Sequence, residues 1–120
     1  MRTALILISL ALAGAAQAQS REPTSAQAAA GFMAADRELK ELHSQIHARL
    51  RLDQRDVFSA AQDAWERYRN AECDFGLLVL SRSVRTSVLG GCLEQMTRER
   101  IKTLQAVNLA CGDGCAPPTK

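Results

Sequence analysis

The chain has 120 residues, with 15 Lys and Arg against 13 Asp and Glu and a formal net charge of +2. So even a balance excludes partners that require a concentrated basic face, nucleic acid above all. Four cysteines in so short a chain raise the question of compartment, because thiols pair in oxidising surroundings and stay reduced in the cytosol.

Residues 1–18 answer that question as an expectation. Arg2 precedes the apolar run Ala4 to Ala13, and the small-residue motif Ala16-Gln17-Ala18 follows, the pattern of a cleaved signal peptide. The run is far shorter than the roughly 20 apolar residues that cross a bilayer, and no later stretch qualifies as a stable membrane anchor. No cysteine stands at the cleavage point to take a lipid. The expected product is periplasmic or secreted, begins near Gln19, and is one small domain of about 100 residues with a modest core.

Three amphipathic helices are predicted within residues 19–110. The first follows Pro23, capped by Thr24 or Ser25, and runs to about Leu52, with Phe32, Leu39, Leu42, Ile46 and Leu50 on one stripe. Asp53 is the expected cap of the second helix, which carries Val57, Phe58, Ala61, Trp65, Tyr68 and Val79 inward and ends near Leu80. The cluster from Ser81 to Ser87 reads as a turn. A third helix from about Val88 to Ala110 would bury Leu89, Leu93, Met96, Leu104 and Val107, with Gly112 and Gly114 stopping it and Pro117-Pro118 opening a loose tail. The expected fold is all-α: a small three-helix domain in which the second and third helices form an antiparallel hairpin packed by the first.

Helix geometry then selects the disulfides. Cys73 and Cys92 each lie about two turns from the predicted break, so a folded-back hairpin brings them together. Cys111 follows the end of the predicted helix that holds Cys92, about 28 Å away along a straight helix at roughly 1.5 Å per residue, so it is out of reach of Cys92's partner. The pairing expected is Cys73–Cys92 and Cys111–Cys115, the second closing residues 111–120 into a tail around Gly112-Asp113-Gly114.

Polar residues also occupy inward positions. Arg100 projects from the stripe of Leu93, Met96, Leu104 and Val107, while Arg69 and Gln62 share the face of Phe58 and Trp65. A buried guanidinium requires partners. Asp36 and Glu72 are the candidates, with Trp65 placed to stack on Arg69. This set, Asp36, Gln62, Trp65, Arg69, Glu72 and Arg100, is expected to be a structural ion-pair network that sets helix register, the alternative being an anion or ligand site.

The run Ala61-Gln62-Asp63-Ala64-Trp65-Glu66-Arg67-Tyr68-Arg69-Asn70-Ala71-Glu72-Cys73, followed by Gly91-Cys92-Leu93 and by Thr97-Arg98-Glu99-Arg100 with Leu104, resembles the lysozyme inhibitor LprI-type family. The resemblance covers roughly residues 32–105. Asp36 and Leu39 fit the family pattern, whereas Lys40 and His43 stand where an asparagine and a tyrosine are usual. A further cysteine often found near the start of the domain is missing, and Cys111 and Cys115 are additions. The resemblance implies a helical exported domain, a Cys73–Cys92 bridge, and inhibition of lysozyme by protein–protein binding. The contact expected is the Ser81–Ser87 loop, through Arg82, Ser83 and Arg85. The alternative is a periplasmic binding or interaction domain whose partner is another cell-envelope protein.

No enzyme is expected. His43 and His47 lie on the first helix without a nucleophile beside them, and Asp63, Glu66 and Glu72 are ordinary carboxylates for a solvated helix. No cofactor or metal is expected either. The metal alternative is chelation by His43 and His47, one turn apart, or by reduced Cys111 and Cys115. The Ala-rich stretch from Ala26 to Ala35 leaves a dimer open, so the oligomeric state stays undetermined.

Overall fold

The computed structural model describes residues 23–111, with side chains up to residue 109. Three helices account for almost all of it: α1 (Ser25–Arg49), α2 (Leu52–Gly76) and α3 (Arg82–Cys111). The expected signal peptide, the tail and the Cys111–Cys115 pairing lie outside the described residues.

Local chemistry explains the first helix start. The Thr24 hydroxyl accepts from the Gln27 backbone N–H at 3.3 Å, and the Gln27 side chain accepts from the Thr24 N–H at 2.8 Å, satisfying two of the donors that a helix start leaves unpaired. The second start corrects the expected cap. Arg51, not Asp53, is the capping residue, and Gln54 reaches back to its backbone N–H at 3.1 Å. Asp53 lies in the first turn, held by the Arg51 guanidinium through bonds of 2.7 and 3.1 Å. A carboxylate there also meets the positive end of the helix dipole.

The second turn differs more from expectation. α2 ends at Gly76 rather than Leu80, and α3 starts at Arg82 rather than Val88. The connection is therefore the apolar run Leu77 to Ser81, and the serine-rich segment is helix. Its serine hydroxyls find local partners: Ser87 Oγ donates to the Val84 carbonyl at 3.1 Å, and Ser81 and Ser83 Oγ lie 3.2 Å apart. Serine back-bonded in this way no longer competes with the helix. Both turns use the same device. Arg55 Nε donates to the Leu50 carbonyl and Arg85 Nε to the Leu80 carbonyl, each at 3.0 Å, so an arginine in each new helix holds the chain end it has just left.

Contacts along the bundle set its direction. Ala28 meets Gly90, Glu38 faces Arg98 at 3.9 Å, and Arg49 Nη1 donates to Asn108 Oδ1 at 2.7 Å, so α1 and α3 run parallel. α2 runs against both, with Gln62 meeting Arg100, Arg69 meeting Asp36, and Cys73 bonded to Cys92. The main packing is α1 on α3, with α2 touching both more lightly. That reverses the expected hierarchy of a hairpin merely covered by α1.

Leu39, Ile46, Ile101 and Leu104 form the buried core, with Leu42, Leu50, Phe58 and Trp65 packed around it. Toward the α1 start the helices approach on small residues. Ala28 and Ala35 are fully buried, and a Cβ at Gly90 would sit 2.8 Å from the Ala28 carbonyl carbon. Val57, Ala61, Tyr68, Val79 and Val107, expected inside, are exposed. On α2 the reason is its narrow seam. Phe58, Gln62, Trp65, Arg69 and Cys73 face the other helices, and Val57, Ala61 and Tyr68 lie one step around the helix from that line.

Candidate functional site

The expected disulfide is formed. Cys73 and Cys92 are joined at 2.07 Å with their Cα atoms 5.8 Å apart, spanning α2 and α3 one turn before α2 ends. Met96 Sδ lies 3.6 Å from Cys73 Sγ, a packing contact, since a disulfide sulfur carries no proton. Among the described residues no cysteine is free.

One turn deeper, Arg69 enters the interface and is only 5% exposed. Its Nη1 donates to Thr97 Oγ at 3.0 Å and to Asp36 Oδ1 at 3.4 Å, and its Nε donates to Asn70 Oδ1 at 3.1 Å. The guanidinium lies 5.0 Å from the Phe32 ring centre and 5.1 Å from that of Trp65. Thr97, fully buried, donates its own proton to the Leu93 carbonyl at 2.6 Å, which leaves its lone pairs turned to Arg69. Arg69 thus contacts all three helices.

Asp36 divides its charge between Lys40 at 2.6 Å and Arg69 at 3.4 Å. Partial burial pushes its carboxyl upward, but the hydrogen bonds and charges of Lys40 and Arg69 outweigh that and hold it below the ordinary carboxylate value. On the other side of Trp65, Arg100 lies 5.6 Å from the same ring, and its Nε donates to Gln62 Oε1 at 3.2 Å. Gln62 in turn donates to Glu66 at 3.4 Å. Burial lowers the Arg100 pKa, yet guanidinium remains charged in proteins.

Of the six expected network residues, Asp36, Gln62, Trp65, Arg69 and Arg100 are brought together. Glu72 is the correction: it is exposed and makes none of these contacts among the described residues, because it sits on the solvent side of Cys73. Thr97 and Phe32 take up the role that Glu72 does not. Sequence reasoning noted both only as parts of a stripe or motif. The available signal was Thr97 at an inward position of α3, where a lone hydroxyl must find a partner.

His43 stacks on Phe58 with ring centres 4.5 Å apart and 11° between planes, and lies 6.0 Å from the His47 ring. Its Nε2 is buried without a hydrogen-bond partner among the described residues. Desolvation, then the charge of His47, lowers its pKa. No group of three or more His, Cys, Asp or Glu is placed to hold a metal among the described residues.

The expected contact residues Arg82, Ser83 and Arg85 are exposed as predicted but sit on the first turn of α3 rather than in a loop. The turn beside them is the apolar segment. No helix of the described residues is long and apolar enough to cross a membrane.

A family model described as "Lysozyme inhibitor LprI" matches residues 13–104. No curated protein and no solved structure matches the chain.

Proposed function

Because the chain belongs to the lysozyme inhibitor LprI family, we propose that it is an exported, non-catalytic protein that binds a lysozyme and blocks it. The observation that carries this reading is that the family match extends over nearly the whole stapled three-helix unit, including Cys73, Arg69, Cys92 and Thr97. The oxidised Cys73–Cys92 pair supports an oxidising compartment, and with it periplasmic delivery after cleavage near Ala18.

In this reading the buried polar set is structural. Arg69, Asp36, Thr97, Gln62, Trp65 and Arg100 hold three helices in one register, so that the surface presented to lysozyme is preorganised. The contact surface includes Arg82, Ser83 and Arg85 at the exposed start of α3. Net charge near zero gives little long-range steering toward a basic enzyme, so affinity must come from local fit.

The test is direct. Oxidised mature protein is added to lysozymes of several classes acting on cell walls. Inhibition at micromolar concentration supports the reading, and none against any class rejects it in favour of a different cell-envelope partner. N-terminal sequencing of the exported protein checks the cleavage site independently.

A further inference from the structure

The connection between α2 and α3 has the wrong chemistry for an ordinary solvent-facing turn. Residues 77–80 are Leu-Leu-Val-Leu, where turns usually carry Gly, Asn, Asp or Ser. Leu78 is 72% exposed, Val79 88%, and Phe75 on the last turn of α2 70%. Val84 and Val88, one turn apart on α3, are exposed as well. An apolar group of this size left in water at one end of a small domain is a contact surface in waiting.

Helix register explains why these side chains are uncovered. Ala28 packs at the level of Gly90. From that level α3 continues back to Arg82, about 12 Å at roughly 1.5 Å per residue, whereas α1 reaches only to Ser25, about 4.5 Å. The α2–α3 tip therefore stands some 7 Å beyond the start of α1, a two-helix prong with no third helix against it among the described residues. The Cys73–Cys92 bond ties the prong at its base, so little conformational freedom remains to be lost on docking.

Behind the apolar end sit Arg82 and Arg85. Arg85 donates to the Leu80 carbonyl, and neither guanidinium pairs with a carboxylate among the described residues. A convex apolar end collared by two uncompensated guanidinium groups calls for a concave partner with apolar walls and carboxylates close together. The sugar cleft of a retaining glycosidase has that character: two carboxyl groups about 5–5.5 Å apart, one of them in a hydrophobic pocket against an aromatic ring.

The geometry points to the α2–α3 prong as a plug for this cleft. Phe75, Leu78 and Val79 rest on its apolar wall, and Arg82 and Arg85 meet the catalytic carboxylates. This inference rests on the lysozyme reading above and adds that inhibition is competitive with sugar.

Steady-state hydrolysis of a soluble chitooligosaccharide by a sensitive lysozyme, with oxidised mature protein added, tests it. The expected result is a raised apparent KM at constant kcat. Leu78→Asp with Val79→Asp, and separately Arg82→Glu with Arg85→Glu, should each weaken inhibition at least tenfold, while Arg37→Glu on the exposed side of α1 leaves it unchanged. Circular dichroism confirms that each variant is folded. A measurement on the unaltered protein stands beside the variants: saturating tri-N-acetylchitotriose should displace it from lysozyme in a calorimetric titration.

Lysozyme inhibition that lowers kcat at constant KM, that survives both pairs of substitutions, or that ignores the trisaccharide overturns cleft docking while leaving the inhibitor reading intact. Failure of the unaltered protein to inhibit any lysozyme overturns both. If such a non-inhibiting protein sediments with 3:1 phosphatidylcholine–phosphatidylglycerol vesicles, and the Leu78→Asp, Val79→Asp protein does not, the prong is a membrane contact and the cleft assignment is wrong.

Discussion

Gly90 and Gly91 are adjacent in sequence and opposite in consequence, which makes them a sharp test of the α1–α3 packing. A Cβ added at Gly90 would lie 2.8 Å from both the carbonyl carbon and the Cβ of Ala28, and 3.1 Å from its oxygen. The obstacle is mainly backbone and cannot rotate aside. Restoring an ordinary contact requires α1 and α3 to separate locally by about 0.6 Å, and overpacking of this kind costs about 1–3 kcal/mol. Alanine regains up to about 1 kcal/mol of helix propensity over glycine. Gly90→Ala should therefore destabilise by up to about 2 kcal/mol. A Cβ at Gly91 meets nothing within 4 Å, so Gly91→Ala keeps only the propensity gain and should stabilise by up to about 1 kcal/mol. At about 4–8 °C per kcal/mol for a domain of this size, the two melting temperatures should move in opposite directions and differ by about 10 °C. Thermal and urea unfolding of the oxidised proteins measures this. Equal shifts at the two positions would refute the close approach of α1 to α3.

Three further outcomes follow from the same contacts. Reducing Cys73–Cys92, which closes a segment of separation 19, should cost about 3 kcal/mol, seen as a lower urea midpoint in dithiothreitol that a Cys73→Ala, Cys92→Ala protein reproduces without reductant. Asp36→Asn leaves the buried Arg69 without a carboxylate, whereas Arg69→Met puts an apolar chain between Phe32 and Trp65 and leaves Asp36 with Lys40. Asp36→Asn should thus be the more destabilising by about 1 kcal/mol or more, and the reverse order in urea unfolding would count against a charge-balanced network. Finally, His43 has a lowered pKa through burial, so the unfolded chain binds the proton more readily. Its contribution is full above the ordinary value of about 6.5 and is lost as pH falls toward the folded value. Asp36, also lowered, adds a further loss below about pH 4. His43→Phe should flatten the stability profile between pH 8 and 5 while leaving the acid limb, and an unchanged profile would show that His43 is not buried as described.

Much of this architecture is legible in the residues themselves, and what is missed has identifiable physical causes. Thr24, one of the two expected caps after Pro23, does start α1, and the spacing of Leu39, Leu42 and Ile46 gives its inner face. The Cys73–Cys92 pairing follows from rise per residue alone, and it tolerates an error of several residues in the turn, because any antiparallel fold of the two segments brings those cysteines near each other. The turn itself is misread, since Leu77 to Leu80 has helix-like hydrophobicity while Ser81 to Ser87 has turn-like composition. Exposure and hydrogen bonding reverse both impressions: Ser87 bonds back into α3, and Leu78 and Val79 stand in water. Glu72 looks as eligible a partner for Arg69 as Asp36 does, and only the rotation of α2 about its axis separates them.

Local signals thus settle three helices, an oxidised staple, and arginines at positions facing inward, because capping, periodicity and rise per residue act over a few neighbouring positions. Tertiary structure alone decides that α1 runs parallel to α3 and packs most closely on it, that Gly90 must lack a side chain, that Thr97 completes the shell of Arg69, and that the α2–α3 end projects past α1. Each of these depends on the relative axial register of helices distant in sequence. That register is set by the sum of many small contacts across their faces, and no single stretch of residues encodes it.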